Sequence, residues 1–302
     1  MIYDCAIIGG GFAGLQAAIQ LGRYRHRILV LDAGEGRSSL CRCYHNLLGW
    51  PEGVSGEQLR RIGRQQAEQL GVAFADAYVT GCAAVNSELF ELTTASGQNV
   101  RYHSKRLLLS TGVQDRIALP QQDKLRPCFG ISLFVCPDCD GYEVYNKPVL
   151  VLGSGDAGAA MALALHYWTP HVEYINHERA PIQADYVQQL ADKAIVCLER
   201  EIVDVAVSGS RLQGVMLDDG QFKQADQAFI AFGGNQVRSE LAAQLGIELL
   251  DNAHIEVAAR TKLTSRKHVW AAGDVTAHSE QAIIAMGDGA QAAIWIHKSL
   301  IT

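Results

Sequence analysis

Tyr3–Gly34 reads YDCAIIGGGFAGLQAAIQLGRYRHRILVLDAG, and this stretch decides the fold. An apolar run meets a glycine turn, an alanine-rich segment of helical character follows, and a second apolar run, RILVLD, ends in Asp32. Gly9, Gly11 and Gly14 make G-x-G-x-x-G at the predicted strand-to-helix turn. The first glycine allows a tight turn, the second lets backbone approach a pyrophosphate, and the third lets helix lie close on strand. A pyrophosphate is then expected on the helix N-terminus. Asp32, about 20 residues beyond the glycines, is placed to accept hydrogen bonds from a ribose. Strand, turn, helix, second strand and acid in register predict a dinucleotide-binding unit.

The pattern recurs in Lys147–Trp168, KPVLVLGSGDAGAAMALALHYW, with Gly153, Gly155 and Gly158 on the same spacing. It is read as a second nucleotide site, or as a turn that keeps the fold without its ligand. Tyr167 and Trp168 are read as core aromatics. Between the two patterns, RLLLSTGVQDRIALP (106–120) runs from an apolar strand into Ser110, Thr111 and Gly112, where a chain can pass between domains. Near the end, HVWAAGDVTAHSEQAIIAMGDGAQAAIWI (268–296) is a strand, then Gly273-Asp274, then a helix of small residues opened by Gln281. An aspartate there can hold a flavin ribityl hydroxyl, and the small residues predict close packing on a large planar ligand. The candidate cofactor-binding residues are thus Gly9, Gly11, Gly14, Asp32, Thr111, Gly112, Gly153, Gly155, Gly273, Asp274 and Gln281.

Composition narrows the setting. The 302 residues are 48% hydrophobic and 19% charged, enough for two globular domains. A net charge of −6 argues against coating nucleic acid, and the arginines of LRRIGRQQ (59–66) read as the wet face of a helix. No apolar run is long enough to span a bilayer, and no secretory signal pattern opens the sequence. The expectation is a cytoplasmic protein whose eight cysteines are mostly reduced thiols. In that setting the C-x-x-C of VCPDCDGYE (135–143) is either metal or redox chemistry. Zinc would want a second pair of ligands, and Cys41-x-Cys43 lies far upstream, across an expected domain boundary.

GGGFAG, STG, CPDCDG and WAAGDV…QAIIAMGDGAQAA stand in the same order as in low-molecular-weight thioredoxin reductases, and the chain resembles that family along nearly its whole length. The resemblance implies an α/β fold of two Rossmann-like dinucleotide-binding domains, the second inserted into the first. It places an FAD domain at 1–115 and 246–302 and an NAD(P)-type domain carrying the CxxC at 116–245. It further implies FAD, a homodimer, a protein disulfide partner such as thioredoxin, and no metal, nucleic acid or membrane. Cys136 and Cys139 become the redox disulfide, and Asp140 the group that takes or gives the proton.

One segment departs from that pattern. The family's basic H-R-R-x-x-x-R stretch holds the 2′-phosphate of NADPH; here VEYINHERAPIQA (172–184) sets Asn176, His177 and Glu178 at the histidine and paired arginines. Gly158 replaces the usual alanine, and Glu280 replaces an arginine before Gln281. Ordinary NADPH use is therefore not expected. The resemblance extends to relatives without it, which are ferredoxin-linked, or are diflavin-linked disulfide oxidoreductases with a second FAD. Three readings stand: an FAD-dependent dithiol–disulfide oxidoreductase without ordinary NADPH use, an NAD(P)H-dependent thioredoxin reductase, and a flavin-bearing redox sensor without turnover. Cys5, Cys82, Cys128 and Cys197 read as small buried hydrophobes. Cys41 and Cys43 sit in CRCYHNLLGW, expected at the flavin edge.

Overall fold

A computed structural model of the chain describes residues 1–95 and 100–302. The chain divides into two compact units, the first of residues 1–39, 56–114 and 236–302, the second of 40–55 and 115–235. The return to the first unit comes at Gln236, ahead of the expected 246, because strand Gln236–Val237 pairs with Val113–Gln114. Residues 40–55, placed by sequence in the first unit, belong with the second.

In the first unit β1 (Ile2–Ile8), α1 (Phe12–Arg23), β2 (Ile28–Asp32), α2 (Arg37–Leu40), α3 (Gly56–Gln69) and β3 (Ala73–Asp76) follow in order. β4 (Val79–Ala84), β5 (Phe90–Thr94) and β6 (Arg101–Leu109) come next. The sheet runs β3-β2-β1-β6-β5-β4, with strand Val269–Ala271 also paired to β6. β3, β2, β1 and β6 are parallel, and β4–β5 is an antiparallel hairpin. Because parallel strands are covered on both faces, the buried ends of β1, β2 and β6, residues 5–8, 28–31 and 107–109, read as apolar runs, not as alternation. Leu107, Leu108 and Leu109 are all buried, and each such side chain contributes about 1.5–3 kcal/mol of transfer free energy.

The second unit repeats the plan on a smaller sheet, ordered 196–198, 172–176, 149–153, 228–231 and 133–134, all parallel. Helix Gly155–Leu165 follows the second glycine turn, and a three-stranded antiparallel sheet spans 202–224. Each glycine turn therefore lies at the carboxyl end of its first strand, where open α/β sheets bind ligands. Among the described residues no helix is long and apolar enough to cross a membrane.

Candidate functional site

The first turn has the construction its glycines demand. Gly9 takes φ +103°, a conformation favouring glycine. A Cβ on Gly14 would meet the Gly9 carbonyl oxygen at 2.0 Å, so helix and strand touch there through backbone. Gly11 differs: a Cβ there would meet only Ser38 Oγ at 3.6 Å. The chain has thus cleared one side of the α1 N-terminus, whose first amides have no helical partner. A cavity of about 190 Å³ continues past the ends of β1 and β2, lined among others by Gly9, Asp32, Glu35, Thr111 and Arg238. These residues fit a dinucleotide.

Asp32 accepts from the Gly10 amide at 3.1 Å and from Arg60 at 2.6 Å, while Arg60 also donates to Ser38 at 2.9 Å. Arg60 is therefore no wet-face arginine: it turns in from α3 because a half-buried carboxylate needs a partner. Thr111 is tied to the Arg238 carbonyl, and Gly112 takes φ +71°.

Gly273, at φ +79°, is followed by Asp274, which pairs with Arg37 at 3.4 Å. Arg37 also binds Glu280, so the departure at Glu280 is balanced within its own unit. Gln281 caps the final helix, Ala282–Ile301. Part of that helix packs on α1: a Cβ on Gly289 would meet the Ala13 carbonyl oxygen at 2.0 Å, placing two helices in backbone contact. From the same helix the buried Asp288 pairs with Lys262 at 2.7 Å and His278 at 3.0 Å.

The C-x-x-C opens a four-residue helix, Pro137–Asp140, with Cys136 as its cap. That turn brings the two sulfurs within 2.7 Å as free thiols sharing a hydrogen bond. The bond holds the Cys136 thiol below its ordinary range and pushes Cys139 up, with burial adding to the rise. Asp140 is pushed up to about 7, first by burial and then by the charge of Glu143. Gly141 is required behind the turn, since a Cβ there would strike Trp168 Nε1 at 2.2 Å. Tyr167 is 83% exposed and no core residue, as the chain leaves the helix just before it.

At the second turn Gly158 has a physical cause. Its Cβ would lie 2.3 Å from the ring of Tyr174, whose hydroxyl donates to the Gly155 carbonyl at 2.8 Å. The buried Asn176 side chain accepts from the Gly155 amide at 3.0 Å and donates to the Ala180 carbonyl at 2.8 Å. His177 accepts from the Ile202 amide at 2.8 Å and is lowered in pKa by burial. Glu178 is held by Arg116, and Arg179 by Asp218. The arginines nearest this turn are thus already paired with carboxylates.

Residues 3–289 match the family described as Pyridine nucleotide-disulphide oxidoreductase. The chain belongs to that family. Thioredoxin reductase of Mycolicibacterium smegmatis is 29% identical over 305 residues, covering 97% of this chain and 95% of that protein. Thioredoxin reductase of Treponema pallidum is 30% identical over 305 residues, covering 96% of this chain and 95% of its own. The crystal structure of TrxB from Bacillus anthracis superposes with a TM-score of 0.84 at 27% identity, covering 99% and 98% of the two chains. This member of the pyridine nucleotide-disulphide oxidoreductase family is an FAD-dependent disulfide oxidoreductase of thioredoxin reductase type.

Sequence reasoning missed Arg60, Arg37 and Arg116, the partners of Asp32, Asp274 and Glu178. None sits in a motif, and only the need of each partly buried carboxylate for a cation pointed to them.

Proposed function

We propose that the protein moves two electrons between FAD held at Gly9, Gly11, Gly14, Asp32, Thr111, Gly112, Gly273, Asp274 and Gln281 and a disulfide formed by Cys136 and Cys139. The observation that carries this is the pair of sulfurs 2.7 Å apart beside a carboxyl group raised to about 7. Bound FAD supplies the two-electron chemistry. Cys136, whose thiol is the lowered one, is the thiolate that attacks a partner disulfide by exchange. Asp140 takes and returns the proton, with a pKa suited to transfer near neutrality. A protein dithiol or disulfide of the thioredoxin kind is the partner, the assembly is a homodimer, and the setting is the reducing cytoplasm.

The donor in this reading is neither NADPH nor NADH. Arg116 and Arg179 support it through their pairing with Glu178 and Asp218. A ferredoxin-type protein, or a second FAD at Gly153 and Gly155, supplies the electrons instead; flavin quantitation after denaturation separates the two. Replacing Cys136 and Cys139 by serine tests the central claim. Disulfide exchange with a partner should vanish while flavin content holds, and retained exchange in the double variant sinks the reading.

A further inference from the structure

We infer that Asp288 is a positioning residue for the turn Gly273–Thr276, and that its hold on the turn, and through it on the flavin, depends on the charge of His278. The inference rests on the reading above that Gly273 and Asp274 hold FAD. The turn is closed on itself: the Thr276 amide donates to the Gly273 carbonyl at 2.8 Å, and the Thr276 hydroxyl donates to the same oxygen at 2.9 Å. Asp274 and Val275 therefore stand at its tip. Asp288, on the final helix, holds both ends. One of its carboxylate oxygens accepts from the Gly273 amide at 3.4 Å and lies 3.5 Å from Thr276 Oγ1. Asp288 and Thr276 are buried.

A carboxylate so placed is retained only with cations beside it. Lys262 supplies one, 2.7 Å from the other oxygen. Its own backbone is tied to the strand before the turn, since the Ala271 amide donates to the Lys262 carbonyl at 3.1 Å. His278 supplies the second, with Nε2 3.0 Å from the oxygen that holds the turn. The other ring nitrogen, Nδ1, lies 2.7 Å from the Ser279 carbonyl oxygen. Each nitrogen faces an oxygen, so the imidazole satisfies both only as the doubly protonated cation.

The charged groups facing this imidazole are Asp288 from the helix, Asp274 from the turn and, across the shared carboxylate, Lys262. Beyond them Asp274 pairs with Arg37, Arg37 binds Glu280, and Glu280 lies 3.7 Å from His254. Pairing with Asp288 raises His278 above the ordinary histidine value against the effect of burial, and the Ser279 carbonyl and the charge of Asp274 add to the rise. A proton held more tightly in the folded protein contributes fully below the ordinary value and is lost as pH rises through the raised one. Neutral His278 then turns a lone pair on one of its two oxygens. Asp288 is left with a single cation, and the turn loosens.

FAD release from the full-length holoprotein, read as free-flavin fluorescence on dilution across about pH 6 to 9, tests this. Wild type should lose affinity by about tenfold or more over that range, the worth of one charged hydrogen bond. His278→Gln changes a side chain that is 15% exposed and keeps a neutral donor, so the protein should fold. It should bind FAD more weakly than wild type in acid and show no inflection. Asp288→Asn should be weaker by about tenfold or more in acid and lack the inflection too; a fold merely loosened would weaken binding and still titrate. His254→Gln should keep the wild-type curve. A flat wild-type curve, an inflection that survives in His278→Gln or disappears in His254→Gln, or an Asp288→Asn protein with wild-type affinity overturns this inference alone. Where Asp288→Asn does not fold, the histidine variants decide. Asp274→Ala with wild-type affinity at every pH overturns the reading beneath it as well, because the turn would then not hold flavin.

Discussion

Arg60 donates to Asp32 across 2.6 Å, and both side chains are only 15% exposed. The pair fixes the carboxylate where the second strand ends, so that Asp32 meets the Gly10 amide and faces the cavity beyond β1 and β2. Arg60→Met should leave that carboxylate without its cation. Losing a charged hydrogen-bond partner costs about 1.5–3 kcal/mol, and bound flavin should fall severalfold. Thermal melting and absorbance after desalting check both; unchanged flavin content would separate Asp32 from cofactor binding.

Gly11 and Gly14 should part company on mutation. Gly11→Val adds bulk on the open side of the turn, where only Ser38 Oγ is near, so the protein should fold and lose its yellow colour. Gly14→Val drives carbon into the Gly9 carbonyl at 2.0 Å and should prevent stable folding. A Gly11→Val protein that retains flavin would falsify the assignment of this turn.

How much of this was legible in the sequence follows from what each feature depends on. The glycine turns and their strands are local, set by spacing and by the apolar runs of buried parallel strands, and they could be read. Residues 40–55 could not be placed, because their position depends on Gly130 and Phe129, distant in sequence. Nor could the packing of the final helix: alanine and glycine look alike whether the close neighbour is a ring or the backbone of Ala13. Arg60 carried no signal either, since a helix face reads as solvated until a buried acid is known to lie beneath it.

NADPH should reduce the flavin poorly, and NADH no better. A 2′-phosphate wants bidentate guanidinium contacts, yet Glu178 and Asp218 already hold Arg116 and Arg179. Two absent contacts at about 1.5–3 kcal/mol each weaken binding by roughly a hundredfold or more. The 2′-hydroxyl of NADH avoids that loss, but it draws no charge-assisted contact from either paired arginine. Anaerobic stopped-flow mixing decides the matter, and fast, complete bleaching by either nucleotide would restore an ordinary reductase.

Asp140 should trade stability for turnover, and pH should expose the trade. Its carboxyl is raised from 3.8 to about 7 by burial and the charge of Glu143. A group whose folded pKa is raised binds its proton more tightly in the native state, so its contribution to stability is present in full below the unfolded pKa and is lost as pH rises through about 7. Above neutrality the ionised, desolvated carboxylate destabilises the fold by on the order of a few kcal/mol. Asp140→Asn lacks that ionisation. It should melt higher than wild type on the alkaline side and match it in acid. Catalysis should move the other way: protonated Asp140 can deliver a proton to the thiolate leaving a disulfide, so wild-type disulfide reduction should decline as pH climbs through about 7. The asparagine variant should be slower below about pH 7, by about 100- to 10,000-fold, the range of one general acid, and should lack that inflection. Melting curves and turnover across one pH series read both effects on the same samples. A variant that keeps the wild-type inflection, or gains no stability in alkali, shows that the buried carboxyl is not the proton carrier.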